Sequence, residues 1–247
     1  MHIAGLLCVA AYCIAAMIVG TRLIRLARRT GELPELMIGC SFLSGGTLGY
    51  PASIASQLLA ADSPAVACPV AGLGSMGLSV ASACILVAWW RIYQPLESWG
   101  RWAVGLWTLF LIQVFVLELT RSAAELAPIA NPWETLRVVA QGAPYAAMAC
   151  SGFRYHARLR RRMRVLLTDP VVVNRILLWN VAATCVTLQY VYYLAYPYLD
   201  RFCDAEAAAP AYNGILGLII ALCISCAFYP LPAYLRRIRK QAGMEVD

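Results

Sequence analysis

The sequence predicts an all-α fold: a polytopic membrane protein whose seven transmembrane helices form one bundle, with the N-terminus outside and the C-terminus cytoplasmic. Three observations carry that prediction. Of 247 residues, 61% are hydrophobic and 13% charged, with a mean hydropathy of +0.66; a soluble domain has about 45–50% apolar and about 25% charged residues. The apolar residues fall into seven stretches, and roughly 20 helical residues cross about 30 Å of hydrocarbon. The basic residues, finally, are sorted between alternate connections. The composition excludes a disordered chain, a coiled coil and an ordinary water-soluble enzyme.

The spans are expected at 3–24, 36–60, 66–90, 101–120, 133–154, 171–197 and 211–235. A backbone in lipid must satisfy its own hydrogen bonds, so each is a helix; the alternation of a barrel strand is absent. Local signals agree. The first span has no basic region before it and no cleavage site, so it reads as an uncleaved helix. Leu33-Pro34-Glu35 opens the second. Asn131-Pro132-Trp133-Glu134 opens the fifth with a cap, a first-turn proline and an acid, Asp169-Pro170 opens the sixth, and Pro210 precedes the seventh. Pro51, Pro144, Pro197, Pro230 and Pro232 mark kinks.

Orientation follows from the cations. Arg22, Arg25, Arg28 and Arg29 follow the first span, and Arg91 and Arg101 flank the loop after the third. The loop after the fifth holds Arg154, Arg158, Arg160, Arg161, Arg162, Arg164 and Arg175, and the tail holds Arg236, Arg237, Arg239 and Lys240. The opposite side has Arg121, Arg137 and Arg201, a division of 17 to 3 that puts the N-terminus outside. Trp89, Trp90, Trp99, Trp102 and Trp133 sit at span boundaries and read as an interfacial belt. The loops are short, so residues 1–247 form a single transmembrane domain with no soluble one. The expected location is a cell membrane, the inner membrane if the source is bacterial.

No cofactor is expected. A retinal Schiff base needs an intramembrane lysine, and the single lysine is Lys240 in the tail. Haem or zinc in the bundle needs histidine or acidic ligands at depth, and the two histidines, His2 and His156, lie outside the apolar cores. Eight of the 10 cysteines fall within spans and read as packing residues. Cys68 and Cys203 both fall at the outer face, where a disulfide between them is expected.

Charges at membrane depth cost about 2.5–3.5 kcal/mol at a helix centre and need a reason. Glu118 lies near the outer end of helix 4, and Arg137 just over one turn into helix 5. Glu134 precedes Arg137 by three residues, so the two can pair on one face. At similar depth stand Gln141, Gln189, Tyr190, Tyr193 and Asn213. These seven residues, Glu118 and Arg137 included, predict a polar, outward-facing ligand pocket among helices 4, 5, 6 and 7. Taken singly, each also has a structural explanation, by snorkelling or by bonding a neighbouring helix. Helices 2 and 3 carry Gly39, Gly45, Gly46, Gly49, Gly72, Gly74 and Gly77, with Ser75, Ser79 and Ser82. The Gly45/Gly49 spacing predicts close packing of the two; a broken helix lining a substrate path is the alternative.

Three functions stay open. The first is a receptor-like or sensory bundle that binds a small ligand and signals through a membrane or cytoplasmic protein partner. The second is a small-molecule transporter or channel, though no internal repeat is visible: Tyr50-Pro51 and Tyr196-Pro197 lie at different depths. The third is an accessory subunit of a membrane complex. No nucleophile–base or metal constellation points to an enzyme. The lipid bilayer is the expected partner throughout, with anionic lipids at Arg154–Arg164, about 1 kcal/mol per basic residue. No nucleic acid is expected.

Overall fold

The computed structural model describes residues 3–60, 62–119, 132–163, 169–199, 205–228 and 234. Every element among them is a helix. Helix α1 is Ile3–Thr30, and it stops at Gly31, whose φ of 75° is the left-handed turn glycine takes without strain. The next rod joins Leu33–Ser41, a π-helical segment Phe42–Gly49, and Tyr50–Leu59. Ser41, Phe42, Gly49 and Tyr50 all hold right-handed helical angles, so the three pieces are one helix, α2 (33–59). The others are α3 Pro64–Tyr93, α4 Ser98–Leu119, α5 Pro132–Met163, α6 Pro170–Leu199 and α7 Ala205–Phe228.

Five of the seven are long and apolar enough to cross a membrane: the segments Leu7–Thr30, Ala65–Tyr93, Ser98–Leu117, Pro170–Tyr196 and Ala211–Phe228. The chain is therefore a multi-pass membrane protein with apolar helices suited to lipid contact. The remaining two differ for physical reasons. Helix α2 is divided by its π segment, and α5 carries Glu134, Arg137, Gln141 and a basic last turn.

Six helices close a ring, each packed on the next: α1, α2, α3, α5, α6, α7 and back to α1. Helix α4 stands outside it, against α3 and α5. Leu106, Leu109, Ile112 and Val116 of α4 are all more than half exposed. Inside the ring Val19, Leu23, Ile85, Met148, Ile220 and Ile224 form the core.

Glycines set the tightest contacts. A Cβ on Gly49 would lie 2.7 Å from the Leu78 nitrogen, and one on Gly77 2.7 Å from the Gly49 Cα, so α2 and α3 touch backbone to backbone as their spacing predicts. Gly39 and Gly46 meet α1 instead, at Gly20 and Ala16. The π register ends two residues before Pro51. A proline removes the donor for the carbonyl four residues back and crowds it, and a widened turn at that point is a local accommodation.

Helix ends depart from expectation at two places. Helix α5 runs to Met163 rather than 154, because arginine, leucine and alanine keep propagating a helix once it leaves the apolar stretch. Helix α7 starts at Ala205 in an alanine run, so Pro210 falls inside it. Asp169 caps α6 as expected: its Oδ1 accepts the Val171 N–H at 2.8 Å. Asn131, Arg121, Arg164, Arg201, Pro230, Pro232 and the basic tail lie outside the described residues.

The tryptophan belt needs correction. Trp99, Trp102 and Trp133 are exposed, but Trp89 is core, its Nε1 donating to Ser151 Oγ at 2.8 Å. Trp90 is half-buried, with the Arg91 guanidinium 4.6 Å from its ring centroid.

Candidate ligand-binding site

The cavity begins with one face of α5. Arg137, Gln141, Tyr145 and Met148 recur at steps of four, four and three, which places them along a single stripe. All four line a cavity of about 200 Å3 inside the six-helix ring. Helix α6 contributes a second stripe, Trp179, Ala183, Val186, Tyr190 and Tyr193, with Gln189 beside it. Helix α2 contributes Phe42, Gly45, Tyr50 and Ser53. The step of five from Gly45 to Tyr50 is the π register, and it keeps both on the lumen side. Tyr12 of α1, Leu78 and Ile85 of α3, and Ile220 and Ile224 of α7 complete the wall.

The cavity is graded. The end nearer the start of α5 has Arg137, Gln189, Tyr193 and Ser56; the far end has Phe42, Ile85, Met148, Trp179 and Ile224, with Ser41 beside Phe42. There Phe42 leans on Trp179 at 6.0 Å between centroids and Trp179 meets Phe228 edge-on at 5.6 Å. Higher up, Tyr145 and Tyr190 stack at 6.0 Å and 24°. Gly142 permits that: a Cβ there would lie 2.8 Å from the Tyr190 Cβ.

Arg137 is held by Glu134, Nε to Oε2 at 2.7 Å, the pair the three-residue spacing predicts. Gln141 is fully buried between α5 and α3. Its Nε2 donates to Ser79 Oγ at 3.0 Å and to the Ser75 carbonyl at 3.4 Å. A carbonyl only accepts, so the amide nitrogen faces Ser75 and the amide oxygen faces away. That oxygen has no hydrogen-bond partner, and leaving such a group buried costs about 1–3 kcal/mol.

Two backbone carbonyls beside the proline of α5 are bonded from neighbouring helices. Pro144 has no N–H for the carbonyl of Ala140. The Trp107 indole donates to it at 3.0 Å, and the Ser82 hydroxyl donates to the Gln141 carbonyl at 2.7 Å. Cross-helix bonds of this kind help make a proline inside a helix tolerable.

No family model, curated protein or solved structure matches the chain.

Of the seven residues expected to converge, Arg137, Gln141, Gln189, Tyr190 and Tyr193 line this one cavity. Asn213 stands behind the wall, its Nδ2 donating to Tyr193 Oη at 3.4 Å and its backbone carbonyl accepting from Gln189 at 3.4 Å. The Glu118 side chain lies outside the described residues. The expected set of surrounding helices needs correction: α4 is excluded, and α1, α2 and α3 join α5, α6 and α7. Helix α4 packs on α3 and α5 from outside the ring, so none of its described side chains reaches the lumen. The disulfide is likewise not seen. Cys68 is a free thiol, and Cys203 lies outside the described residues.

Tyr12, Tyr50, Tyr145, Phe42 and Trp179 were not legible as site residues, although with Tyr190 and Tyr193 they make seven aromatic rings around the cavity. A signal existed. Tyrosine belongs at the interface, and Tyr12, Tyr50 and Tyr145 sit well inside their spans. Asn180 was also missed; it is 1% exposed and packs against Gly152 at the α5–α6 contact.

Proposed function

We propose that this is a seven-span membrane protein of the receptor-like or sensory kind, N-terminus outside and C-terminus cytoplasmic, which binds a small molecule in the cavity of the six-helix ring. The observation that carries the reading is the convergence of Arg137, Gln141, Gln189, Tyr190 and Tyr193 on one cavity whose opposite end is mostly apolar. A polar mouth over a mostly apolar floor suits a bound solute, whereas a transport path needs polar groups along its whole length. In this reading α2 and α5 cross as well. Arg154–Arg162 at the end of α5 then meet anionic headgroups on the cytoplasmic side. A membrane or cytoplasmic protein partner receives the signal.

Native mass spectrometry of the purified full chain tests the binding claim. A small-molecule adduct is expected on the wild type and is expected to disappear in Arg137→Gln. A wild type with lipid adducts only would contradict it. A carboxy-terminal fluorescent-protein fusion tests the topology: it should fluoresce, as cytoplasmic fusions do, and a silent, translocated fusion would reverse the orientation.

The π segment Phe42–Gly49 favours transport as a second reading, because it lines the cavity and such segments accompany functional motion. Ligand-dependent solute flux in proteoliposomes would establish it over the first.

A further inference from the structure

We propose that the cavity's ligand is an uncharged aromatic carbonyl compound whose oxygen accepts hydrogen bonds from Tyr12 of α1 and Tyr50 of α2. This rests on the ligand-binding reading above and specifies its chemistry.

The two rings meet edge to face, 5.7 Å between centroids and 90° between planes, and both line the cavity. Neither hydroxyl has a hydrogen-bond partner among the described residues, and neither is occluded. That separates them from other polar groups of the wall. Gln141 is bonded to Ser75 and Ser79, and its amide oxygen is sealed from the lumen. Tyr193 accepts from Asn213, Tyr145 faces the Ser41 and Ser82 hydroxyls, and Tyr190 faces Ser82. Tyr12 and Tyr50 therefore bring two uncommitted O–H groups to the lumen. A phenol donates better than it accepts, because its ring withdraws the oxygen lone pair, so the ligand supplies the acceptor. A carbonyl oxygen has two lone pairs and takes either hydroxyl or both.

The charge balance selects a neutral molecule. Arg137 is the one charged side chain lining the cavity among the described residues, and Glu134 holds its Nε at 2.7 Å. An ion entering such a lumen sheds its water and meets no free counter-charge. Ring faces attract organic cations, yet no carboxylate lines the cavity among the described residues to complete such a site. Size and shape give the rest. A cavity of about 150 Å3 holds benzene, so about 200 Å3 holds one ring with a small substituent. The stacked Tyr145 and Tyr190, with Trp179 below them, give a flat ring faces to lie on.

Equilibrium dialysis of the full chain in lipid nanodiscs, with empty nanodiscs as the blank, tests this with four flat probes of one shape: acetophenone, α-methylstyrene, benzoate and benzamidine. The expected result is saturable binding of acetophenone. α-Methylstyrene, which has a methylene in place of the oxygen, should bind about fivefold more weakly. Benzoate and benzamidine should bind about tenfold more weakly or worse. The double variant Tyr12→Phe, Tyr50→Phe should bring acetophenone down to the level of α-methylstyrene and leave α-methylstyrene unchanged. Because neither hydroxyl bonds the protein, the variant should also keep the wild-type thermal midpoint; a fall would show that the hydroxyls are committed within the bundle and would overturn the proposal. If the variant does not fold, that premise fails in the same way. Equal wild-type affinity for acetophenone and α-methylstyrene overturns the role of the two tyrosines. Tightest binding of benzoate or benzamidine overturns the uncharged class while leaving a ligand cavity standing. Absence of saturable binding for all four overturns the proposed chemistry, and the adduct in native mass spectrometry then decides separately whether the cavity takes a ligand at all.

Discussion

Helices α4 and α5 are neighbours in sequence and in space, yet they are opposites. Helix α4 is apolar over most of its length, packs against α3 and α5, and exposes Leu106, Leu109, Ile112 and Val116. Helix α5 is interrupted by Arg137, Gln141, Pro144 and Tyr145, and it packs against α3, α4 and α6. In water the more apolar helix would be the inner one. In lipid the order reverses: the solvent takes the apolar helix, and the polar groups of the other must find each other or a ligand. The glycines show the same contrast. Gly105 on α4 has nothing within 4 Å of an added Cβ, whereas Gly142 would meet Tyr190 and Gly152 would meet Asn180.

The contrast can be broken most severely at Gly152. In Gly152→Val a β-branched side chain collides with the buried Asn180 amide, and overpacking of this kind costs about 1–3 kcal/mol, sometimes more. A large fall in the thermal midpoint in detergent is expected, partly restored by the double variant Gly152→Val, Asn180→Ala. Gly142→Ala comes next. Its methyl group forces Tyr190 off α5, so both stability and ligand binding should fall, the first by about 1 kcal/mol or more. Gln141→Leu sharpens the comparison differently. It removes the bonds to Ser75 and Ser79 but also the unpartnered oxygen, so its net effect on stability should be about 1 kcal/mol or less. Smallest of all is Gly105→Ala on α4, expected to be neutral or to stabilise by up to about 1 kcal/mol through helix propensity. Thermal unfolding of the four variants side by side would rank them.

These variants also mark what the sequence made legible. The existence of seven apolar stretches, the Glu134–Arg137 pair and the depth shared by Gln141, Gln189, Tyr190 and Tyr193 are local or additive properties, and they can be counted along a chain. Which helices surround the cavity is not local. The placement of α4 outside the ring depends on pairwise packing that a glycine such as Gly77 decides only together with Gly49. The π segment was equally hidden: Pro51 announces a disturbance, but whether it becomes a kink or a widened turn depends on what α3 presses against it. Tyr12, Tyr50 and Tyr145 were masked by the habit of reading tyrosine as an interfacial residue.

Photocrosslinking tests the central claim most directly. Benzoylphenylalanine placed at Leu109 on α4 and at Tyr193 on the cavity wall of α6 should give different products in membranes. Lipid adducts at position 109, and crosslinks within the protein or to a small molecule at position 193, are the predicted result. Equal labelling of lipid from both positions would mean that the polar stripe faces the bilayer, and the cavity assigned here would not exist.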